Sequence, residues 1–171
     1  MALVFRAVVG IDPAFRERGF SICVLTMERT AHFHTFVSFM AFLSWANTPG
    51  NVPDGALFVV ENSNLEDTVF ARLRGESPRA MMTIARNVGK NQAISQCTVD
   101  YLCATFGEVN VQDISPSEKG AKWGMFGGGR NMPLARQIAA ESMRDKKVQG
   151  DASRLTGDEI DDLQLALKYF R

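Results

Sequence analysis

Two short apolar runs in this chain each stop abruptly at a carboxylate: RAVVGIDP, which ends on Asp12, and LFVVEN, which ends on Glu61. Val8, Val9 and Ile11 in the first, and Leu57, Phe58, Val59 and Val60 in the second, are almost unbroken in their hydrophobicity, which predicts strands covered on both faces. Between them, FSICVLTM alternates Phe20, Ile22 and Val24 with Ser21, Cys23 and Leu25. The short charged loop before it, Phe15 to Gly19, makes this strand an antiparallel partner of the first. HFHTFVSF supplies a third strand, on which His32 and His34 share a face. With no third ligand nearby, the pair reads as an exposed strand face in preference to a metal site. Phe39 to Trp45 has helical character, and Asn47 to Gly55 is a loop with two prolines and two glycines. A strand reached through a helix runs parallel to the first, so Asp12 and Glu61 are expected at the same edge of the sheet.

Beyond Glu61 the pattern changes. Asn62 to Pro78 reads as a loop and carries Phe70, Arg72 and Arg74. From Arg79 to Phe106 the spacing of Met81, Ile84, Val88, Val99 and Leu102 predicts one long helix. Its middle holds a polar patch, Arg86, Asn87, Lys90, Asn91 and Gln92, around Gly89, a residue that costs a helix up to roughly 1 kcal/mol against alanine. That patch is either a solvated face with a packing notch or a place where a phosphate backbone approaches closely. Val109 to Ile114 is a fifth strand, and Ser115, Pro116 and Glu118 form a capping start for a short helix through Trp123. The flexible run GMFGGG, Arg130, a helix from Pro133 to about Arg144 and a polar connector follow. Thr156 and Glu159 make a second capping box. It opens a last helix with Ile160, Leu163, Leu167 and Phe170 as its main apolar stripe and Asp158, Asp161 and Asp162 on roughly the opposite side. Acids at a helix N-terminus complement its dipole by roughly 0.3 to 1 kcal/mol each. Leu165 continues the acidic stripe, however, so that side is also expected to meet protein.

Composition narrows the picture only a little. A length of 171 residues suits one domain, residues 1–171, of α/β class: a five-stranded mixed sheet, the first three strands antiparallel and the fourth and fifth parallel to the first, flanked by helices. Nineteen basic and nineteen acidic residues cancel, so only local charge can announce a nucleic-acid partner. Between Ser115 and Gln149 bases outnumber acids seven to three, which makes that segment basic, as is the stretch from Arg72 to Lys90. Cys23, Cys97 and Cys103 are odd in number, lack CxxC spacing and read as buried thiols in a reducing compartment. No apolar stretch is long enough to span a bilayer and the N-terminus lacks a signal-peptide pattern, so a cytoplasmic protein without a membrane partner is expected.

Asp12 and Glu61 at neighbouring strand ends, with an Asp cluster opening a late helix, form the donor set that two Mg²⁺ or Mn²⁺ ions require. All are hard oxygen ligands, able to hold two metals about 3.5 to 4 Å apart for in-line attack of water on a phosphodiester. The order of elements resembles the RNase H-like fold. The motifs GIDPAFRERGFSI, VVEN, NVGKNQA, KWGMFGGGRN and DEIDDLQLAL resemble those of the RuvC-type Holliday junction resolvases within it. The resemblance implies a metal-dependent endonuclease that acts as a homodimer on four-way junctions or other branched DNA. It places the metal-binding acids on Asp12, Glu61, Asp158 and Asp161, with Asp162 a rival for the last position. It also implies catalytic help from Lys122, neighbouring bases Lys119 and Arg136, and a wedging aromatic at Phe70. Arg72, Arg74, Arg86, Lys90 and Arg130 complete the expected DNA contacts. Ala14 stands where the family has glycine, and Glu159, Ile160 and Asp162 replace its alanine-rich setting, departures that point to a viral or otherwise remote member. Two other readings stay open: an RNase H-like nuclease acting on RNA/DNA hybrids, flaps or forks, and a DNA-binding module with a decayed site.

Overall fold

A computed structural model describes residues 5–13, 20–28, 30–65, 77–116 and 156–169. The chain forms strands β1 (Ala7–Ile11), β2 (Phe20–Thr26) and β3 (Ala31–Phe36), helix α1 (Phe39–Ala46), strand β4 (Ala56–Glu61), helix α2 (Pro78–Phe106), strand β5 (Val111–Ile114) and helix α3 (Gly157–Tyr169). The sheet order is β3-β2-β1-β4-β5. β1 to β3 pair antiparallel, and β4 and β5 run parallel to β1. This is the mixed α/β sheet expected from the hydrophobic pattern.

β1 is central and buried at every position, which is why its sequence is a continuous apolar run. Side chains of odd-numbered Ala7, Val9 and Ile11 join Ile22, Phe58 and Val60 on one face, where Phe42 of α1 and Leu102 of α2 cover them. Val8, Cys23, Leu25, Leu57, Val59 and Ile114 line the other face with Leu163, Leu165 and Ala166 of α3. The sheet is therefore a middle layer between helices.

α2 starts at Pro78 with Ser77 as its N-cap, whose hydroxyl accepts the Ala80 N–H at 3.3 Å. It is buried only at Ser95, Thr98 and Leu102, so its N-terminal half projects away from the core. Two expectations need correction here. A Cβ placed on Gly89 would meet nothing within 4 Å, so no packing notch against the described residues explains this glycine. Cys97 is exposed and Cys103 half-buried; only Cys23 is a buried thiol, because Cys97 falls on the outer side of α2.

His34 packs its ring against Trp45 with centroids 4.9 Å apart, while His32 is exposed. The two share one face of an edge strand, but that face is not the exposed one expected: α1 covers part of it, and His34 is incorporated into the Phe36, Phe42 and Trp45 aromatic cluster. The helices expected near Ser115 to Trp123 and Pro133 to Arg144 lie outside the described residues, apart from Ser115 and Pro116.

Candidate acidic site at the strand ends

The placement of the two strand-end acids follows from register. Ile11 pairs with Val60 across the parallel β1–β4 ladder, so Asp12 and Glu61, the next residue of each strand, are neighbours at one edge. Parallel strands lie about 4.8 Å apart, which sets the spacing of the two backbones. Alternation along β4 assigns Leu57, Val59 and Glu61 to the α3 face, and along β1 it carries Val8, Gly10 and Asp12 there as well.

α3 is brought to this edge by a backbone-to-backbone fit. A Cβ added to Gly10 would lie 1.9 Å from the Asp162 carbonyl oxygen and 2.7 Å from the Ala166 nitrogen, so the helix rests directly on the β1 main chain. Its N-terminus is closed by the expected capping box, in which Glu159 accepts the Thr156 N–H at 2.7 Å and Thr156 Oγ1 accepts the Glu159 N–H at 3.2 Å. The acidic first turns of α3 thus sit over the end of β1.

Asp162 makes the closest link. It is wholly buried; Oδ1 accepts the backbone N–H of Asp12 at 2.8 Å, and Oδ2 accepts the Ser21 hydroxyl at 2.5 Å. Asp158 and Asp161 are half-buried on the same helix, and Asp12 and Glu61 are half-buried at the strand ends. One oxygen of Glu61, Oε2, and one of Asp161, Oδ1, are shielded from solvent. Directly beneath, Cys23 is fully buried. Burial pushes its thiol well above the ordinary value, and the Asp162 and Glu159 carboxylates push it further.

The acidic side of α3 meets protein, as Leu165 led one to expect: the side bearing Asp162, Leu165 and Ala166 faces the sheet. Ile160 and Leu163 are buried as well, and so is the expected burial of Leu165 realised. With apolar residues on several sides, the stripe Ile160, Leu163 and Leu167 did not mark the contact face uniquely.

Asn62, unassigned in the sequence reading, holds the Glu61 side of the edge. It is 2% exposed; its N–H donates to the Ile114 carbonyl at 2.8 Å, and its side-chain amide donates to Asp113 at 3.1 Å. Its side-chain oxygen accepts the Asn64 N–H at 3.0 Å, and Asn64 in turn donates to the Gln92 carbonyl of α2 at 2.8 Å. This chain of bonds ties α2 to the segment leaving Glu61. Lys90 is two residues before Gln92, and Arg86 lies about 6 Å further along the axis at 1.5 Å per residue. Arg86 is exposed and Lys90 half-buried.

The donor set at this edge is carboxylate throughout, which suits Mg²⁺ or Mn²⁺ better than Zn²⁺. Among the described residues no three His, Cys, Asp or Glu side chains are gathered closely enough to hold one ion. The case for a metal therefore rests on donor chemistry and on the placement of Asp12 and Glu61 side by side beneath α3. Phe70, Arg72, Arg74, Lys119, Lys122, Arg130 and Arg136 lie outside the described residues. A separate cavity of about 270 Å³, lined by Pro53, Asp54, Phe58, Phe106 and Asn110, opens at the start of β4 and not at the acidic edge. No helix among the described residues is long and apolar enough to cross a membrane.

No family model and no curated protein sequence matches the chain.

Proposed function

We propose that the chain is a Mg²⁺- or Mn²⁺-dependent endonuclease that cuts Holliday junctions or other branched DNA by hydrolysis of a phosphodiester. The observation that supports this reading is the parallel pairing of Ile11 with Val60, which sets Asp12 and Glu61 side by side beneath the acidic end of α3. Asp12, Glu61, Asp158 and Asp161 are the carboxylates that would hold the metal. Two ions bound there supply a water activated near neutral pH and a clamp for the leaving oxygen.

The remaining work belongs to the chain. The sheet fixes Asp12 and Glu61, since both are one residue beyond a paired position of a buried strand. Arg86 and Lys90, tied to the Glu61 side through Asn64 and Gln92, contact the phosphate backbone. Lys122 acts beside the scissile phosphate, with Lys119, Arg130 and Arg136 close to it in sequence. Phe70 wedges between bases, flanked by Arg72 and Arg74. Binding that depends on so many bases weakens steeply with salt. A homodimer, joined through the Met81 and Met82 end of α2, places two such sites on a symmetric junction; Met82 is 75% exposed there.

The test is cleavage of a four-way junction, a linear duplex and an RNA/DNA hybrid by wild type and Asp12→Asn. Metal-dependent cutting of the junction that the substitution abolishes supports the proposal. Preferred cutting of the hybrid replaces it with an RNase H-like activity. Junction binding without product at any metal concentration makes the chain a binding module. Cutting that survives Asp12→Asn unchanged refutes the mechanism.

A further inference from the structure

Asp162 stands out among the acids of α3 because it is fully buried. Its two oxygens receive hydrogens from different strands, the Asp12 N–H at the end of β1 and the Ser21 hydroxyl of β2. Continuing the antiparallel β1–β2 register beyond Ile11 and Ile22 puts Asp12 opposite Ser21, so a single carboxylate spans the last cross-strand pair. The helix that carries it cannot slide without breaking both bonds, since the Asp162 carbonyl and the Ala166 nitrogen also rest on Gly10.

We infer that Asp162 is a positioning residue, a buried latch that fixes the peptide of Asp12 for ion binding, and that it is not itself an ion ligand. The inference rests on the nuclease reading for its consequence, but the latch is observable in the metal-free protein. A carboxylate oxygen that holds an N–H orients that peptide plane, and the orientation sets the direction in which the Asp12 side chain leaves the backbone. Partners that orient a ligand typically matter by about 10- to 100-fold in metal affinity or activity. Asp161, one residue earlier, is half-buried, and the nuclease reading assigns it to the ions together with Asp158.

Three variants separate a latch from a ligand. Asp162→Asn keeps an oxygen to accept the Asp12 N–H and an amide that donates to Ser21 Oγ. Asp162→Ala removes both contacts, and Ser21→Ala removes one. The metal-free proteins are read by ¹⁵N NMR for hydrogen exchange of the Asp12 amide and by thermal unfolding. Mn²⁺ binding is then read by electron paramagnetic resonance and junction cleavage by initial rate, each beside Asp12→Asn and Asp161→Asn.

The latch predicts a protected Asp12 amide in wild type and Asp162→Asn, with protection lost in Asp162→Ala. It also predicts Mn²⁺ affinity reduced less than about tenfold in Asp162→Asn and about 10- to 100-fold in Asp162→Ala. Should Asp162→Ala fail to fold, Asp162→Asn and Ser21→Ala carry the comparison. A loss of Mn²⁺ binding in Asp162→Asn as complete as in Asp12→Asn makes Asp162 a ligand and overturns the inference. An Asp12 amide that exchanges freely in wild type overturns it as well. Wild type that binds no Mn²⁺ and cuts no substrate instead refutes the nuclease reading and the role in ion binding, while the amide protection still reports whether the latch exists.

Discussion

Replacing Gly10 with alanine tests the contact on which the candidate site depends. The added methyl would sit 1.9 Å from the carbonyl oxygen of Asp162 and 2.7 Å from the nitrogen of Ala166, both main-chain atoms that no rotamer change can move. Real Cβ atoms essentially never approach within 3.0 Å, so α3 must retreat by about 1 Å or more, or the strand must bend. Overpacking of a well-filled interior costs typically 1 to 3 kcal/mol, and a clash with two backbone atoms belongs near the upper end, about 3 kcal/mol. The gain from replacing a flexible glycine in a strand offsets less than about 1 kcal/mol of that. At 2 to 4 °C per kcal/mol for a chain of this size, the melting temperature should fall by about 4 to 12 °C. Thermal unfolding followed by circular dichroism checks this, with urea unfolding to confirm that the transition stays cooperative. A variant that melts within about 2 °C of wild type, or above it, would refute the close seating of α3 on β1.

Gly89→Ala is the matching control. Its Cβ meets nothing within 4 Å, so the substitution should stabilise the fold by up to about 1 kcal/mol in the same assay. If DNA approaches the helix there, junction affinity measured by fluorescence anisotropy should fall at the same time; unchanged affinity identifies a merely solvated face. His34 has its imidazole pKa lowered from 6.5 by burial and then by the neighbouring His32. Its contribution to stability is therefore present above the unfolded value and is lost as pH falls through the lower folded value, and His34→Gln should flatten that part of the stability profile. An unchanged profile would show that His34 is not the group responsible. Thiol labelling under native conditions should modify exposed Cys97 quickly and buried Cys23 only on unfolding, and rapid native labelling of Cys23 would contradict the covered sheet face.

The elements with strong local grammar were legible in the sequence. β1 and β4 announced themselves as unbroken apolar runs, and the Thr156–Glu159 capping box marked the start of α3 directly. The adjacency of Asp12 and Glu61 followed from a connection rule, because a strand reached through a helix comes back parallel. What could not be read was the choice of helix face. α3 has apolar residues on several sides, and the acid that enters the core, Asp162, does so because a peptide N–H and a hydroxyl 150 and 141 residues away receive it. One signal was available: a glycine inside a central strand marks a place where another backbone comes close, and Gly10 fits that description. Asn62 escaped for a similar reason, since its bonds to Asp113 and to the Asn64 turn exist only after the sheet edge has formed.

The separation of Asp12 from Asp162 also bears on the order in which this protein is made. Contacts between residues so far apart in sequence form slowly, after the entropy of closing nearly the whole chain has been met. During synthesis β1 and β4 leave the ribosome long before α3 does. Val8, Leu57 and Val59 then face solvent or a chaperone until the helix arrives to cover them. The half-made protein is thus exposed to aggregation on the same face that later carries its acids. A chain cut short before α3 would keep Asp12 and Glu61 and still lack the carboxylate that holds the Asp12 N–H, so on the proposed nuclease function the strands alone are expected to be inert toward DNA.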